Sequence, residues 1–175
     1  MISTQQLRDD LDANTALLDQ KLYSFTEEQY NTPRGDGGWS AGQIVAHLIR
    51  LEELILEVIK GQTRSGDRNY DEQVNAIKEI YQNYDRKLTA PEPLQPDHTI
   101  LHWDKKQQLM KLGDIRGNIK AILEAKPANE VCTGYSHHLF GELTRYEWGY
   151  FIIYHCERHL HQIDGLDKEL NVWDI

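Results

Sequence analysis

Apolar residues recur at intervals of three and four in five stretches of this chain, each bounded by residues that start or stop helices. The first runs from Thr4 to Glu28 with Leu7, Leu11, Asn14, Leu18, Leu22 and Phe25 in line, and Ser3 with Gln6 reads as its capping box. NTPRGDGG then breaks the pattern. The second opens after Ser40, whose capping partner is Gln43. It aligns Ile44, His47, Leu48, Leu51, Leu54, Ile55 and Val58 and stops near Lys60-Gly61. After the loop GQTRSGDRNY, a third runs from about Asp71 to Leu88 with Val74, Ile77, Tyr81, Tyr84 and Leu88 on one side. The connector TAPEPLQPDHTILHW holds three prolines and reads as extended. A fourth stretch, Lys105 to Ala125, follows Asp104 as N-cap, carries Leu109, Leu112, Ile115, Ile119 and Ile122, and ends at Lys126-Pro127. The fifth, Thr144 to Asp164, has Thr144 and Glu147 as a capping box and Gly165 as the expected C-cap.

No segment alternates as a strand, so the class is all-α, with four long helices suited to a bundle. The 175 residues suffice for one domain, 1–175, with a substantial core. Gly149, inside the fifth helix, costs about 1 kcal/mol of propensity. Close approach of a neighbouring helix is the expected reason.

The face of the fifth helix is unusual. Trp148, Phe151, Ile152, His155, His159, Gln162 and Leu166 share it, so two histidines at i and i+4 lie on the apolar stripe. Their imidazoles converge about one turn apart, as a metal ion requires. His47 also lies on an apolar stripe. If His47, His155 and His159 share one ion, His47 stands about 10 Å from the start of the second helix and His159 about 8 Å from the end of the fifth. Those helices are then antiparallel. Short connections make the first antiparallel to the second and the fourth antiparallel to the fifth. The result is a four-helix bundle with up-down-down-up topology. Its two parallel members need a long crossover, and residues 61–104 supply one with an extra helix inside it. His137 and His138 fall roughly 16 Å or more from this site, and His161 points to another face. His98 and His102 belong to the crossover at the metal end and read as surface residues, with a place in the pocket as the alternative.

Three runs carry a family likeness: W-S-x-x-Q-I-x-x-H-L at Trp39–Leu48, F-G-E-L-T-x-x-E-W at Phe140–Trp148, and H-x-x-x-H-x-x-Q-I at His155–Ile163. In this order, and over nearly the whole chain, they resemble the DinB-like family of YfiT-type metalloenzymes. The resemblance implies the same bundle, a divalent ion (zinc or nickel) on His47, His155 and His159, a small-molecule substrate and a homodimer. Relatives include thiol transferases using bacillithiol or mycothiol, a mycothiol-dependent isomerase, and proteins described as metal-dependent hydrolases. The crossover here is longer than the family pattern, so no substrate carries over.

Three imidazoles leave a coordination position open, the pattern of a catalytic site. Water or a low-molecular-weight thiol are both activated in such a position. Transfer of a thiol to a small electrophile is the expected reaction, with hydrolysis as the alternative. A non-catalytic metal staple and a metal-free bundle with core histidines are the further rivals. Gln162 is expected to orient a ligand imidazole or a water. Glu52 reads as a solvated acid, with acceptance from an imidazole N–H as the alternative. Glu147 reads as a cap, and Cys156 points about 100° away from its neighbour His155. Loop 31–39, crossover 90–104 and the tail after Gly165 should frame a pocket, with Trp39, Trp103 and Trp173 as its aromatics.

Composition narrows the reading. The net charge is −9, and no Lys/Arg block offers the footprint nucleic acid needs. No apolar run is long enough to span a membrane, and the polar, acidic start does not read as a signal peptide. Two cysteines, Cys132 and Cys156, make no disulfide framework, which fits a reducing cytoplasm.

Overall fold

The helices form where the apolar stripes place them, and their caps decide several of their ends. The computed structural model describes residues 3–171. Its elements are α1 (Gln5–Tyr23), α2 (Glu27–Asn31), α3 (Ala41–Lys60), β1 (Thr63–Arg64), α4 (Val74–Gln82), α5 (Lys105–Ala125), β2 (Val131–Cys132) and α6 (Arg145–Leu170). Ser40–Gln43 and Thr144–Glu147 form reciprocal capping boxes, and Asp104 accepts from Gln107 N at 2.8 Å. Each such cap contributes about 1 kcal/mol.

Several boundaries differ from the sequence expectation. The first stretch splits: Thr26 and Gln29 make a capping box of their own and start α2 after a break at Ser24–Phe25. Phe25 is buried in the break, so it extends the apolar pattern without extending the helix. The Ser3–Gln6 box does not form. Thr4 is the N-cap, but its hydroxyl donates to Leu123 O at 3.0 Å, and Gln6 bonds Asp10 instead. The crossover helix is shorter than Asp71–Leu88, ending at Gln82, and Tyr84 stacks on His161 at 4.1 Å from outside it. Gly165 does not stop α6, which continues to Leu170 because Leu166 is buried in the core. Two strands of two residues pair antiparallel, Thr63 with Cys132 and Arg64 with Val131, and fasten the start of the crossover to the loop before α6.

Direction follows from the side chains that bridge the helices. Gly42–Gln108, Glu52–Arg116 and Lys60–Lys126 climb together, so α3 and α5 are parallel. Asp10–Tyr150, Asn14–Ile153 and Lys21–Asp164 make α1 and α6 parallel. Arg8–Glu124 with Asp12–Lys120 set α1 against α5, and His47–His155 with Ile59–Arg145 set α3 against α6. The order is up-down-down-up. α1 packs on α5 and α6, and α3 packs on the same two helices. A Cβ on Gly149 would come within 2.7 Å of Leu7, so the glycine is what lets α1 and α6 approach.

The crossover then wraps α6. α4 packs along it, and a single 3-10 turn at Glu92–Leu94 rests on α3. Arg68 anchors the near end with two bonds to the fully buried Glu147 carboxylate, at 2.5 and 2.7 Å. None of the described helices is long and apolar enough to cross a membrane.

Candidate metal centre

His47 comes from the second turn of α3, and His155 and His159 come from successive turns of α6 facing it. All three are buried: His47 3%, His155 7% and His159 5% exposed. The Nε2 atom of His155 lies 3.2 Å from that of His47 and 3.3 Å from that of His159. One ring nitrogen from each histidine lies within 4.8 Å of the others.

The outer nitrogens explain this orientation. His47 Nδ1 donates to the Leu94 carbonyl at 2.7 Å, and His159 Nδ1 donates to Gln162 Oε1 at 2.7 Å. A carbonyl oxygen only accepts, so each Nδ1 carries the proton and each Nε2 presents a bare lone pair inward. Three inward nitrogens can share only one proton, on His155 Nε2. A second proton is opposed by burial. His155 is held well below the usual imidazole value, first by desolvation and then by the His159 and His47 rings. Desolvation lowers His47 as well, against its bond to Leu94, and takes His159 down to about 3. Neutral imidazoles with converging lone pairs are the donor set that a nitrogen-preferring divalent ion takes. A tetrahedral ion with nitrogens at about 2.0–2.1 Å needs them roughly 3.3 Å apart, which the two spacings from His155 match.

Around the cluster lies a cavity of about 680 Å³, the size that takes a small molecule. Trp39 borders it, its ring centroid 5.1 Å from His47 and 6.4 Å, stacked, from His159. Tyr81 of α4 meets His155 edge-on at 5.3 Å. Phe151 lies parallel to His155 at 5.8 Å.

The model of the DinB superfamily matches residues 10–163. The chain belongs to the DinB superfamily. It is 23% identical over 150 residues to the uncharacterized protein YuaE of Bacillus subtilis (strain 168), covering 86% of this chain and 90% of that protein. Its fold matches YfiT from Bacillus subtilis, described as a probable metal-dependent hydrolase with an unusual four-helix bundle topology. The TM-score is 0.60 at 22% identity, over 98% of this chain and 91% of YfiT.

The remaining residues singled out in this DinB-superfamily chain divide between agreement with the sequence expectation and departure from it. Glu52 does not reach an imidazole. It is buried against Arg116 with bonds of 2.7, 2.9 and 3.2 Å, one and a half turns beyond His47 on α3. Trp103 packs over Gly42 instead of lining the cavity. Trp173 lies outside the described residues. Of the tail after Gly165, the described part continues α6 and borders no part of the cavity. His98 borders the cavity, and the exposed His102 does not. Cys156 is buried, and burial pushes its thiol up, which disqualifies it as a nucleophile.

The loop before α6 gave the largest error. His137 and His138 border the same cavity as the cluster. The His137 ring lies 5.2 Å from Phe151, which in turn lies 5.8 Å from His155. The loop folds back along the bundle, closed by reciprocal backbone bonds between His137 and Gly141, whose φ of 69° favours glycine. Leu139 N donates to His137 Nδ1 at 3.1 Å, so His137 presents Nε2–H. Sequence reasoning missed Tyr81 and His137 as cavity residues. Only the i, i+4 run Ile77–Tyr81 pointed to Tyr81, and nothing in a loop sequence pointed to His137.

Proposed function

We propose that this protein is a metal-dependent enzyme acting on a small molecule, with His47, His155 and His159 holding a divalent ion at the floor of the cavity. The observation that carries the reading is the pair of fixed tautomers: Leu94 and Gln162 hold His47 and His159 with bare Nε2 atoms directed at His155. When bound, the ion supplies a Lewis acid and lowers the pKa of a coordinated water or thiol toward neutrality. The chain supplies the rest. Trp39, Tyr81 and Phe151 form apolar walls that exclude bulk water from the cluster. Gln162 and the Leu94 carbonyl keep the imidazoles oriented through a reaction cycle.

Hydrolysis is the reading supported by the likeness to YfiT. Thiol transfer to a small electrophile is the second. In its favour, the cavity of about 680 Å³ has room for a thiol and an electrophile together. Both cysteines are buried, so the thiol would come from solution. A homodimer belongs to the same proposal, and light scattering tests it.

Mass spectrometry on untagged protein tests the metal. About one zinc or nickel per chain is expected, and His155→Ala should lose it. No metal in either protein after incubation with both ions sinks the enzyme reading. Turnover of model esters and amides without thiol then favours hydrolysis. Turnover only with a low-molecular-weight thiol favours transfer.

A further inference from the structure

The chain carries a net charge of −9, yet among the described residues its cavity is bordered by four Arg or Lys side chains and one carboxylate, Asp36. Asp36 is taken: it lies 3.2 Å from Arg34, which also pairs with Glu169. The other three cations, Arg86, Lys87 and Arg158, form one corner and have no carboxylate partner among the described residues.

Arg158 is the informative member. It is 8% exposed and stands on α6 between His155 and His159. The other buried arginines of this fold each face an acid: Arg116 faces Glu52, Arg145 faces Glu130, and the half-buried Arg68 faces Glu147. Arg158 instead spends its Nη atoms on backbone carbonyls. Nη1 reaches Asn83 O at 2.9 Å and Tyr81 O at 3.4 Å, and Nη2 bonds Arg86 O. Carbonyl dipoles orient a guanidinium but carry no neutralising charge, so the cost of burying it stays partly unmet. These bonds also fold the loop after α4 onto the cavity edge, which brings Arg86 and Lys87 beside Arg158.

We propose that the cavity takes a small organic anion, its charged group at the Arg86–Lys87–Arg158 corner and its reactive centre at the three histidines. The first half stands on the uncompensated cations. The second rests on the metal-dependent reading above. A guanidinium out of bulk water pairs strongly with carboxylate or phosphate oxygens, and the two exposed cations steer the anion in.

The test is calorimetric titration with succinate and its neutral diamide, succinamide, using metal-free and zinc-loaded protein. Succinate should bind both forms, with succinamide at least ~10-fold weaker. The double variant Arg86→Glu/Lys87→Glu, on an exposed loop, should weaken succinate by a similar factor, and raised salt should weaken it further. Arg158→Gln should weaken it more. That variant also removes bonds holding the loop, so the double variant keeps the test decisive if Arg158→Gln misfolds. Equal binding of succinate and succinamide overturns the proposal. So does a change below about twofold on charge reversal, or succinate binding only when zinc is present. If zinc itself fails to bind, the metal reading falls, and titration of the metal-free protein still decides the anion site.

Discussion

Two buried polar clusters sit less than two turns apart on α3, and they are built on opposite plans. At Glu52 and Arg116 the groups are paired: the guanidinium gives three bonds to the carboxylate, one to Asn14 Oδ1 at 3.1 Å and one to Thr15 Oγ1 at 2.9 Å. At His47, His155 and His159 only the outer nitrogens of His47 and His159 are paired with protein acceptors, and three inner nitrogens share at most one proton. Both clusters bury polar atoms among leucines and isoleucines, so burial does not distinguish them. Completeness does. A closed network of charges holds α1, α3 and α5 in register. An open set of lone pairs, held in place by its own neighbours, waits for a ligand.

The contrast breaks most sharply at Glu52. Glu52→Ala leaves Arg116 buried without its counter-ion and should cost about 3–5 kcal/mol in urea unfolding. The metal stoichiometry of the folded protein should not change, and a loss of metal in that variant would mean the two clusters are one unit. A smaller effect is expected at Gln162. Gln162→Leu frees the His159 tautomer and should weaken zinc or nickel about 10–100-fold, read by competition with a chromogenic chelator. An unchanged affinity would show that packing alone orients the ring. The smallest effect sharpens the comparison from the other side. In metal-free protein, His155→Leu removes a shared proton and an imidazole whose burial was poorly repaid. Its unfolding free energy should shift by less than about 1 kcal/mol, against the several lost at Glu52. A drop as large as that at Glu52 would make the histidines a structural network.

The stripes of α3, α5 and α6 and their caps were legible in the sequence because each signal is local: Ser40 with Gln43, Asp104, and Thr144 with Glu147 mark their own helix starts. The topology was legible because the long 61–104 connection leaves few ways to bring His47 to His155. Most of what failed was non-local, and the box at Thr26 is the local exception. Phe25 continues the apolar pattern through a break whose cause is the competing box at Thr26. Glu52 looks like a solvated acid until Arg116, 64 residues away, is placed against it. The two-residue strands are too short to show alternation. Gly165 reads as a stop, but its weak penalty yields to the burial of Leu166. His137 arrives at the cavity through a loop, where no periodicity constrains position.

The bond from His47 to the Leu94 carbonyl ties the inner face of the bundle to the outermost part of the crossover. Residues 90–95 lie on the surface and make few regular backbone bonds, the kind of segment that opens before the helices do. Fixing His47 fixes that carbonyl, and by reciprocity whatever lifts the segment loosens the imidazole. Occupancy of the cluster is therefore written on the outside of the molecule, as slower amide hydrogen exchange in a stretch of chain that supplies none of the three histidines.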